Sequence, residues 1–262
     1  MATKGIGNGD CDRCRDDIIG SESQRARRGS ENVMDDEILQ QSEFAHYIGR
    51  EAETARAIEE DIIFGRLPPG TRLVEDTLLA RFGGTRHLIR QALVQLERTG
   101  LVVRERNKSA VVRTLSIDEV NKIYEIRELL HRKAAMLIRL PAKETLIERL
   151  SVIQASYERH AAEGNLRGVH EANDLFHLTM FAECGNEYLL EEIRRFMLLS
   201  LPVRAGSIAD AGMRTISTEH HRLMINMLRG RDNWLLAELC VAHLNPSRQH
   251  YLERAGMASP LR

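Results

Sequence analysis

The segment from Thr85 to Ala92, Thr-Arg-His-Leu-Ile-Arg-Gln-Ala, constrains the fold of this chain more than any other. It follows a Gly83-Gly84 turn, and its Arg86 and Arg90 are four residues apart, so on a helix they point the same way. Apolar residues can cover the other side of that helix: Leu88, Ile89, Leu93, Val94 and Leu96. An apolar face with two guanidinium groups near the helix N-terminus is the layout of a DNA recognition helix, which favours a regulator over an enzyme.

Charge patterning agrees with this interpretation. The 262-residue chain has a formal net charge of −1, so a nucleic-acid surface has to come from local clustering. From Arg86 to Arg113 there are seven Lys and Arg residues against two acids, a local charge of +5. Runs of about 18 or more apolar residues are absent, and the N-terminus lacks the apolar stretch of a secretory signal. We therefore expect a cytoplasmic protein without a membrane span.

The first 42 residues are rich in Gly, Ser, Arg and Asp and show almost no apolar periodicity, which predicts a disordered tail. The pair Cys11 and Cys14 forms a CxxC within this tail. We interpret it as two incidental thiols, with a redox or zinc role as the alternative, because a zinc site normally needs four ligands.

Residues 43–114 are predicted to form a winged helix-turn-helix of three helices plus a β-hairpin wing. Helical periodicity places the helices at about 43–64, 75–82 and 85–98, with Thr85 as the N-cap of the third. The two β-prone runs 101–103 and 110–112 flank a polar turn and predict the hairpin.

Residues 115–255 are predicted to form an antiparallel all-α bundle of six to seven helices, followed by a C-terminal tail at 256–262. Ser116 and Glu119 resemble a capping box at its start. Gly and Pro residues separate the candidate helices, which lie at about 117–139, 142–163, 166–184, 187–200, 211–229 and 232–254. The predicted fold class is thus mainly α.

A polar strip runs along the apolar face of the predicted helix 166–184. Asn173 and His177 are four residues apart on it, so their side chains can converge, and a polar pair facing a core requires partners. His221 lies nine residues before Gly230, and His243 eleven after Asp232, so the two come roughly level in an antiparallel helix pair. Periodicity leaves His220 and His221 as equal candidates.

Three imidazoles and one amide oxygen suit Zn²⁺, Ni²⁺ or a similar divalent ion. The alternative is that these histidines are satisfied separately in the core or exposed to solvent. A metal site in a bundle would also be compatible with an enzyme that activates water. Such an enzyme would need a Glu or Asp positioned near the histidines as a general base. The nearby acids are Asp174 and Glu219, and helical phase turns Asp174 off the face that carries Asn173 and His177.

Over residues 55–252 the chain resembles the GntR family of bacterial transcription regulators, in its FadR-type branch with the FCD effector domain. In the first half, Gly65 to Gly70 is similar to the family's G-x-L-x-P-G, and Thr85 to Leu93 is similar to S-R-T-P-V-R-E-A-L. Gly100-Leu101-Val102 matches the following G-L-V, and Asn107 to Ala110 resembles the wing tip.

In the second half, Tyr124 to Arg127 resembles the family's Y-E-x-R, and Asn173 to His177 resembles D-x-x-F-H. Asp232 and His243 keep the family's spacing to His221, which favours His221 over His220. The resemblance implies a divalent metal, Zn or Ni, held by four side chains: Asn173, His177, His221 and His243. It also implies a carboxylate effector contacted by Arg127, a homodimer and a palindromic operator in double-stranded DNA.

For the DNA complex, Arg86 and Arg90 are expected in the major groove, where Arg on guanine is the commonest specific contact. Thr85 and His87 are expected to reach a phosphate or base edge, and Arg106, Asn107 and Lys108 of the wing are expected to hold the backbone. A third interpretation, a partner-binding coil formed by the helix 43–64, is weakened by the mixed face of that helix.

The chain departs from the family pattern in both halves. In the recognition motif His87, Leu88, Ile89 and Gln91 replace Thr, Pro, Val and Glu, Gly84 stands where Val is usual, and Ser109 replaces a wing glycine. In the bundle His131 replaces a Glu, and Asn173 replaces the metal-binding Asp. A neutral amide oxygen would hold the ion more weakly and leave the site one charge more positive, which an anionic effector would offset.

Overall fold

The structure is a computed structural model that describes residues 50–104 and 109–258. Several sequence predictions lie outside these residues: the tail 1–42 with Cys11 and Cys14, the start of the first helix, the final residues 259–262, and the wing-tip residues Arg106, Asn107 and Lys108. Within the described part the fold is mainly helical with one small antiparallel sheet, which confirms the predicted fold class.

Residues 50–112 form a winged helix-turn-helix. Its elements in chain order are α1 (Arg50–Ile63), β1 (Arg72–Leu73), α2 (Glu75–Phe82), α3 (Arg86–Arg98), β2 (Val102–Arg104) and β3 (Ala110–Val112). The sheet has the order β1-β3-β2, with Arg72 opposite Val111 and Val102 opposite Val112. The strand β1 was not among the sequence predictions, because two residues are too few for a periodic signal.

The helix α3 begins as its sequence predicts. The Thr85 hydroxyl oxygen accepts a hydrogen bond from the Leu88 backbone N–H at 3.2 Å, which confirms the predicted N-cap. The preceding Gly83 and Gly84 have φ angles of 72° and 89°, a region that disfavours a β-branched residue. Glycine at position 84, where the family usually has Val, is therefore what this turn requires.

The bundle begins with the predicted capping box, in which Ser116 and Glu119 bond each other's backbone N–H groups. Its described helices are α4 (Ile117–Leu137), α5 (Glu144–Glu163), α6 (Leu166–Ala182), α7 (Glu187–Leu199), α8 (Leu201–Ala209), α9 (Ala211–Leu228), α10 (Asn233–Ala242) and α11 (Asn245–Ala258). No helix of the described chain is long and apolar enough to span a membrane.

Two helices differ from the sequence prediction. The helix α8 occupies a region that Pro202 and Gly206 mark as a break, because Pro202 lies in its first turn, where no backbone N–H is needed. The predicted helix 232–254 is divided at His243, because Pro246 lacks an N–H and its ring would clash with the carbonyl four residues earlier. The bundle thus has eight described helices, and the last reaches Ala258, inside the predicted tail.

The short helix α8 packs against both halves of the chain. Leu201 and Ala205 belong to the buried core of the winged helix, together with residues of α1 and α3. Val203 instead joins a second buried cluster with Tyr124 and Leu244 of the bundle. One helix therefore links the two cores.

We expect Leu201→Ala to lower the free energy of unfolding by about 2–5 kcal/mol, because it leaves a cavity in a core where the side chain is 0% exposed. Urea unfolding followed by circular dichroism measures the change. The matched control is Leu223→Ala, whose side chain is 45% exposed, and which should change stability by less than about 0.5 kcal/mol. Equal effects of the two substitutions would show that Leu201 does not anchor α8 in the winged-helix core.

Candidate metal centre and candidate DNA-reading helix

Three histidines from three helices converge at the centre of the bundle. The His177 Nε2 of α6 lies 3.1 Å from the His243 Nε2 at the end of α10 and 3.3 Å from the His221 Nε2 of α9. The ring centroids are 4.8–5.0 Å apart in all three pairs. Nitrogens bound to one ion at 2.0–2.1 Å lie roughly 2.9–3.4 Å from one another. Two of the three Nε2 pairs meet this requirement, and the ligand nitrogens of all three histidines lie within 4.8 Å of one another. The three histidines, which the sequence predicts as ligands together with Asn173, are therefore close enough to bind one divalent ion after a small adjustment of the rings.

The environment keeps the three imidazoles in the form that binds metal. Burial, reinforced by the neighbouring imidazoles, lowers the pKa of His177, His221 and His243 well below the usual 6.5. A neutral imidazole has a free lone pair on one nitrogen, which a metal ion requires. The ring of Phe176 stacks on His221 at 4.2 Å and fixes its plane.

The Nδ1 atoms of the three rings have different partners. His221 Nδ1 lies 2.8 Å from the Gln154 amide oxygen, so it carries the proton and donates, which leaves Nε2 free to bind an ion. His243 Nδ1 lies 3.3 Å from His220 Nδ1. His177 Nδ1 is buried and has no hydrogen-bond partner in the described chain. The structure thus places His221 in the cluster and its sequence neighbour His220 behind it.

Asn173 lines the same pocket as His177 and His243, but its amide nitrogen donates to the Asp174 carboxylate at 3.0 Å. Asp174 in turn pairs through both oxygens with Arg204 of α8. Burial alone would raise the pKa of Asp174, yet the Arg204 guanidinium, the charge of His170 and hydrogen bonds from Arg204 and Asn173 hold it below its usual range. Three of the four predicted ligands therefore form the cluster, and Asn173 lies beside it.

Arg127 of α4 lines the same pocket and forms no salt bridge with an acid among the described residues, although Tyr124 and the charge of Asp174 partly stabilise its cation. Its side chain is 3% exposed, and its Nε and Nη1 find no hydrogen-bond partner among the described residues. Its guanidinium lies over the Tyr124 ring at 5.0 Å, and burial lowers its pKa to about 10. Arg204 also lines the pocket but is occupied by Asp174. Hydroxyl groups complete the lining: Tyr157, Ser207, Ser217 and Ser247.

Sequence reasoning did not anticipate several of these side chains. Arg204 lies between Pro202 and Gly206, so no helical pattern pointed to it, and Gln154 carries no distinctive motif. His131, noted as a departure from the family, is buried with its ring 6.4 Å from His177, and its Nε2 is unpartnered in the described chain. It lies outside the cluster of three.

The helix α3 presents its two arginines to solvent. The side chains of Arg86 and Arg90 are 61% and 59% exposed, whereas the apolar face is buried. Each pairs with an acid of α2: Arg86 with Asp76 at 2.8 Å, and Arg90 through its Nε with both oxygens of Glu75 at 2.9 Å. Thr85 and His87 are exposed on the same end of the helix. All four predicted residues of α3 and its N-cap thus lie on an accessible surface.

Comparison with known families agrees with both halves. The model for bacterial regulatory proteins of the gntR family matches residues 50–112, and the FCD domain model matches residues 122–246. The chain is 25% identical to the Nta operon transcriptional regulator of Aminobacter aminovorans over 187 residues, covering 71% of the chain and 86% of that protein. It is 28% identical to the HTH-type transcriptional repressor GlaR of Escherichia coli over 206 residues, covering 72% of the chain and 90% of GlaR.

Two solved structures share the fold. A GntR transcriptional regulator from Rhodococcus sp. RHA1 aligns with a TM-score of 0.63 at 20% identity, over 78% of the chain and 98% of that structure. Escherichia coli McbR/YncC aligns with a TM-score of 0.59 at 17% identity, over 80% of the chain and 98% of that structure.

The lowered histidine pKa values predict an acid-sensitive metal-free protein. Below pH 6.5 the unfolded chain takes up protons on histidines that the folded chain keeps neutral, so the free energy of unfolding falls as pH falls. Each such group contributes up to about 1.4 kcal/mol per pH unit. Urea unfolding with a chelator present measures this change. Between pH 6.5 and 5 the free energy of unfolding should fall more steeply than a single titrating group would allow.

Glu59 of α1 acts in the opposite direction, because burial and the charge of Asp174 raise its pKa to about 8. In the folded state this carboxyl keeps a proton that it releases on unfolding, so this one group favours the folded state at acidic pH.

The substitution His221→Asn is the control. It should reduce the slope of the free energy of unfolding against pH by the contribution of one histidine. A slope of zero in the unmodified chain would contradict the expectation.

Proposed function

We propose that a small carboxylate, bound at a divalent metal in the bundle, controls how tightly this chain binds its operator. The chain belongs to the GntR family and has a C-terminal FCD domain, so it is a DNA-binding transcription regulator rather than an enzyme. The buried guanidinium of Arg127, facing the histidine cluster without an acid partner in the described chain, is the observation that carries the proposal. A regulator of this type acts where bacterial DNA lies, in the cytoplasm.

DNA reading is assigned to Arg86 and Arg90 on the exposed face of α3. Both are held by exposed ion pairs with Asp76 and Glu75, and solvent screens such pairs, so they contribute little to stability and are easily exchanged. A bidentate contact to guanine contributes about 1–3 kcal/mol of discrimination. When DNA binds, each arginine can therefore exchange its carboxylate partner for a guanine at a net gain. In the free protein the two acids keep the guanidinium groups on the reading face.

We propose that an exposed apolar surface formed by α4 and α10 binds a second copy of the chain. Arg132 of α4 pairs with Glu238 of α10 and lies 5.5 Å from the Trp234 ring, which joins the two helices. Around this contact Leu129, Met136, Trp234 and Leu235 are 42–61% exposed. Large neighbouring apolar side chains of this kind mark an interaction surface. A two-fold pairing of copies there calls for a palindromic operator, as the sequence also predicts.

The histidine cluster is assigned to a divalent ion, with zinc or nickel favoured by three imidazole nitrogens. Such an ion acts as a Lewis acid that binds a carboxylate oxygen. The three neutral histidines do not offset its charge, and Asp174 is already neutralised by Arg204. Arg127 adds one further positive charge, so the pocket favours an anion that contacts both the ion and the guanidinium.

The helix α8 supplies the path from pocket to winged helix. Arg204, Ser207 and Ile208 line the pocket, while Leu201 and Ala205 lie in the core of the winged helix. A second path crosses from α6 to α1, where Arg167 pairs with Glu60 at 2.8 Å and Glu59 lies buried near Asp174. An occupant that shifts α8 or the Asp174–Arg204 pair therefore changes contacts of the DNA-binding half.

Replacing Arg90 by Gln should weaken operator binding about 5- to 150-fold, the range that 1–3 kcal/mol allows. The operator would first be selected from random duplexes with the unmodified protein, and affinity would be measured by fluorescence anisotropy at fixed salt. Arg195→Gln, another exposed and ion-paired arginine, serves as the matched control and should bind normally. Unchanged affinity of the Arg90 variant would remove the assignment of α3 as the reading helix.

Replacing Arg127 by Met should abolish stabilisation of the zinc-loaded protein by acetate, the smallest carboxylate probe. In the unmodified protein, acetate should raise the melting temperature saturably, whereas chloride at equal ionic strength should not. Arg127→Lys, which keeps the charge, should retain part of the effect. An acetate response that is the same with and without the guanidinium would rule out Arg127 as the anion contact.

A further inference from the structure

His220 and His221 are adjacent on α9, yet they serve the cluster from different sides. His221 is 0% exposed and directs Nε2 at His177. His220 is half-buried and places its Nδ1 3.3 Å from the Nδ1 of His243, with the ring centroids 5.4 Å apart. The Nε2 of His243 faces His177 at 3.1 Å. The His243 ring therefore lies between His220 and the point where the three Nε2 atoms meet.

The chemistry of a bound imidazole then fixes the role of His220. A neutral imidazole that gives its Nε2 lone pair to a metal must carry its proton on Nδ1. The atom facing the Nδ1 of His243 is a ring nitrogen of His220, so that nitrogen has to accept the hydrogen bond. His220 can do this as the neutral tautomer with its own proton on Nε2. The corresponding partner of His221 is the amide oxygen of Gln154.

We propose that His220 is a positioning residue, which accepts a hydrogen bond from His243 Nδ1 and so holds that ring in the tautomer and orientation for metal binding. The inference rests on the proposed metal function of the cluster. It also explains why two adjacent histidines occupy α9: one binds the ion and the other orients the ligand from α10. Outer partners of this kind typically change metal affinity 10- to 100-fold.

The position of the acceptor atom gives a sharp test. In an Asn side chain the Oδ1 sits where His has Nδ1, so His220→Asn can preserve the acceptor, whereas His220→Leu keeps bulk without it. Zinc alone is the probe, and its affinity for the full chain is measured by competition with a chelating indicator. We expect one zinc per chain, a 10- to 100-fold loss in His220→Leu and affinity within about threefold of the unmodified chain in His220→Asn.

Three results would overturn the inference. If His220→Leu binds zinc as tightly as the unmodified chain, His220 does not position His243. If Leu and Asn variants lose affinity equally, an acceptor at this position is not what matters. If both lose zinc as completely as His177→Ala does, His220 is itself a ligand.

The metal proposal has its own, separate readout. Absence of stoichiometric zinc in the unmodified chain, or full binding by His177→Ala, would overturn the metal function on which the inference rests. Melting of the metal-free proteins, followed by circular dichroism, should show the Leu and Asn variants within a few degrees of each other. Their difference in zinc affinity then reports the acceptor atom.

Discussion

The packing of helix α8 is the constraint on which the rest of this structure depends. Successive residues of a helix point about 100° apart, and this one directs Leu201 and Ala205 into the winged-helix core, Val203 into the bundle core, and Arg204 into the pocket. With nine residues it has no length to absorb a movement internally. A displacement of Arg204 must therefore be shared by side chains that support the DNA-binding half.

The charges around the pocket explain the substitution of Asn for the family's Asp at position 173. Asn173 donates an amide hydrogen to Asp174, and Asp174 is held by Arg204. A carboxylate at 173 has no hydrogen to donate and would place two negative charges side by side. The local pairing of Asp174 with α8 thus favours the amide. Under the proposed function, the negative charge that is missing at position 173 would be supplied by the anionic effector.

The sequence predicted the elements that repeat a pattern and missed those that depend on single contacts. The exposed arginines of α3 and the histidines of α6, α9 and α10 follow helical phase, so their positions could be derived. Periodicity could not separate His220 from His221, because adjacent residues of α9 both border apolar positions. They differ through tertiary contacts: His221 faces His177 and Gln154, whereas His220 contacts His243 at the end of α10.

Breaker residues misled the sequence interpretation in one place and were underused in another. Pro202 and Gly206 predict a helix break, although proline in a first turn is compatible with helix formation, and this pattern therefore gives no indication of Arg204. Pro246 was not used as a breaker, and the resulting division of the last helix was missed as well. That division matters for the site, because it lets His243 stand at the end of α10 with its ring between His220 and His177.

Thermodynamic linkage sets what the connection through α8 can do. If an occupied pocket changes operator affinity by some factor, operator binding must change the affinity of the pocket by the same factor. A coupling free energy of about 1–3 kcal/mol is typical, which is comparable to one guanine contact by Arg86 or Arg90. Losing the binding free energy of one such contact is enough to dissociate the protein from an operator that is only moderately saturated. Under the proposed function, a small rearrangement around Arg204 would therefore suffice for regulation without refolding of either half.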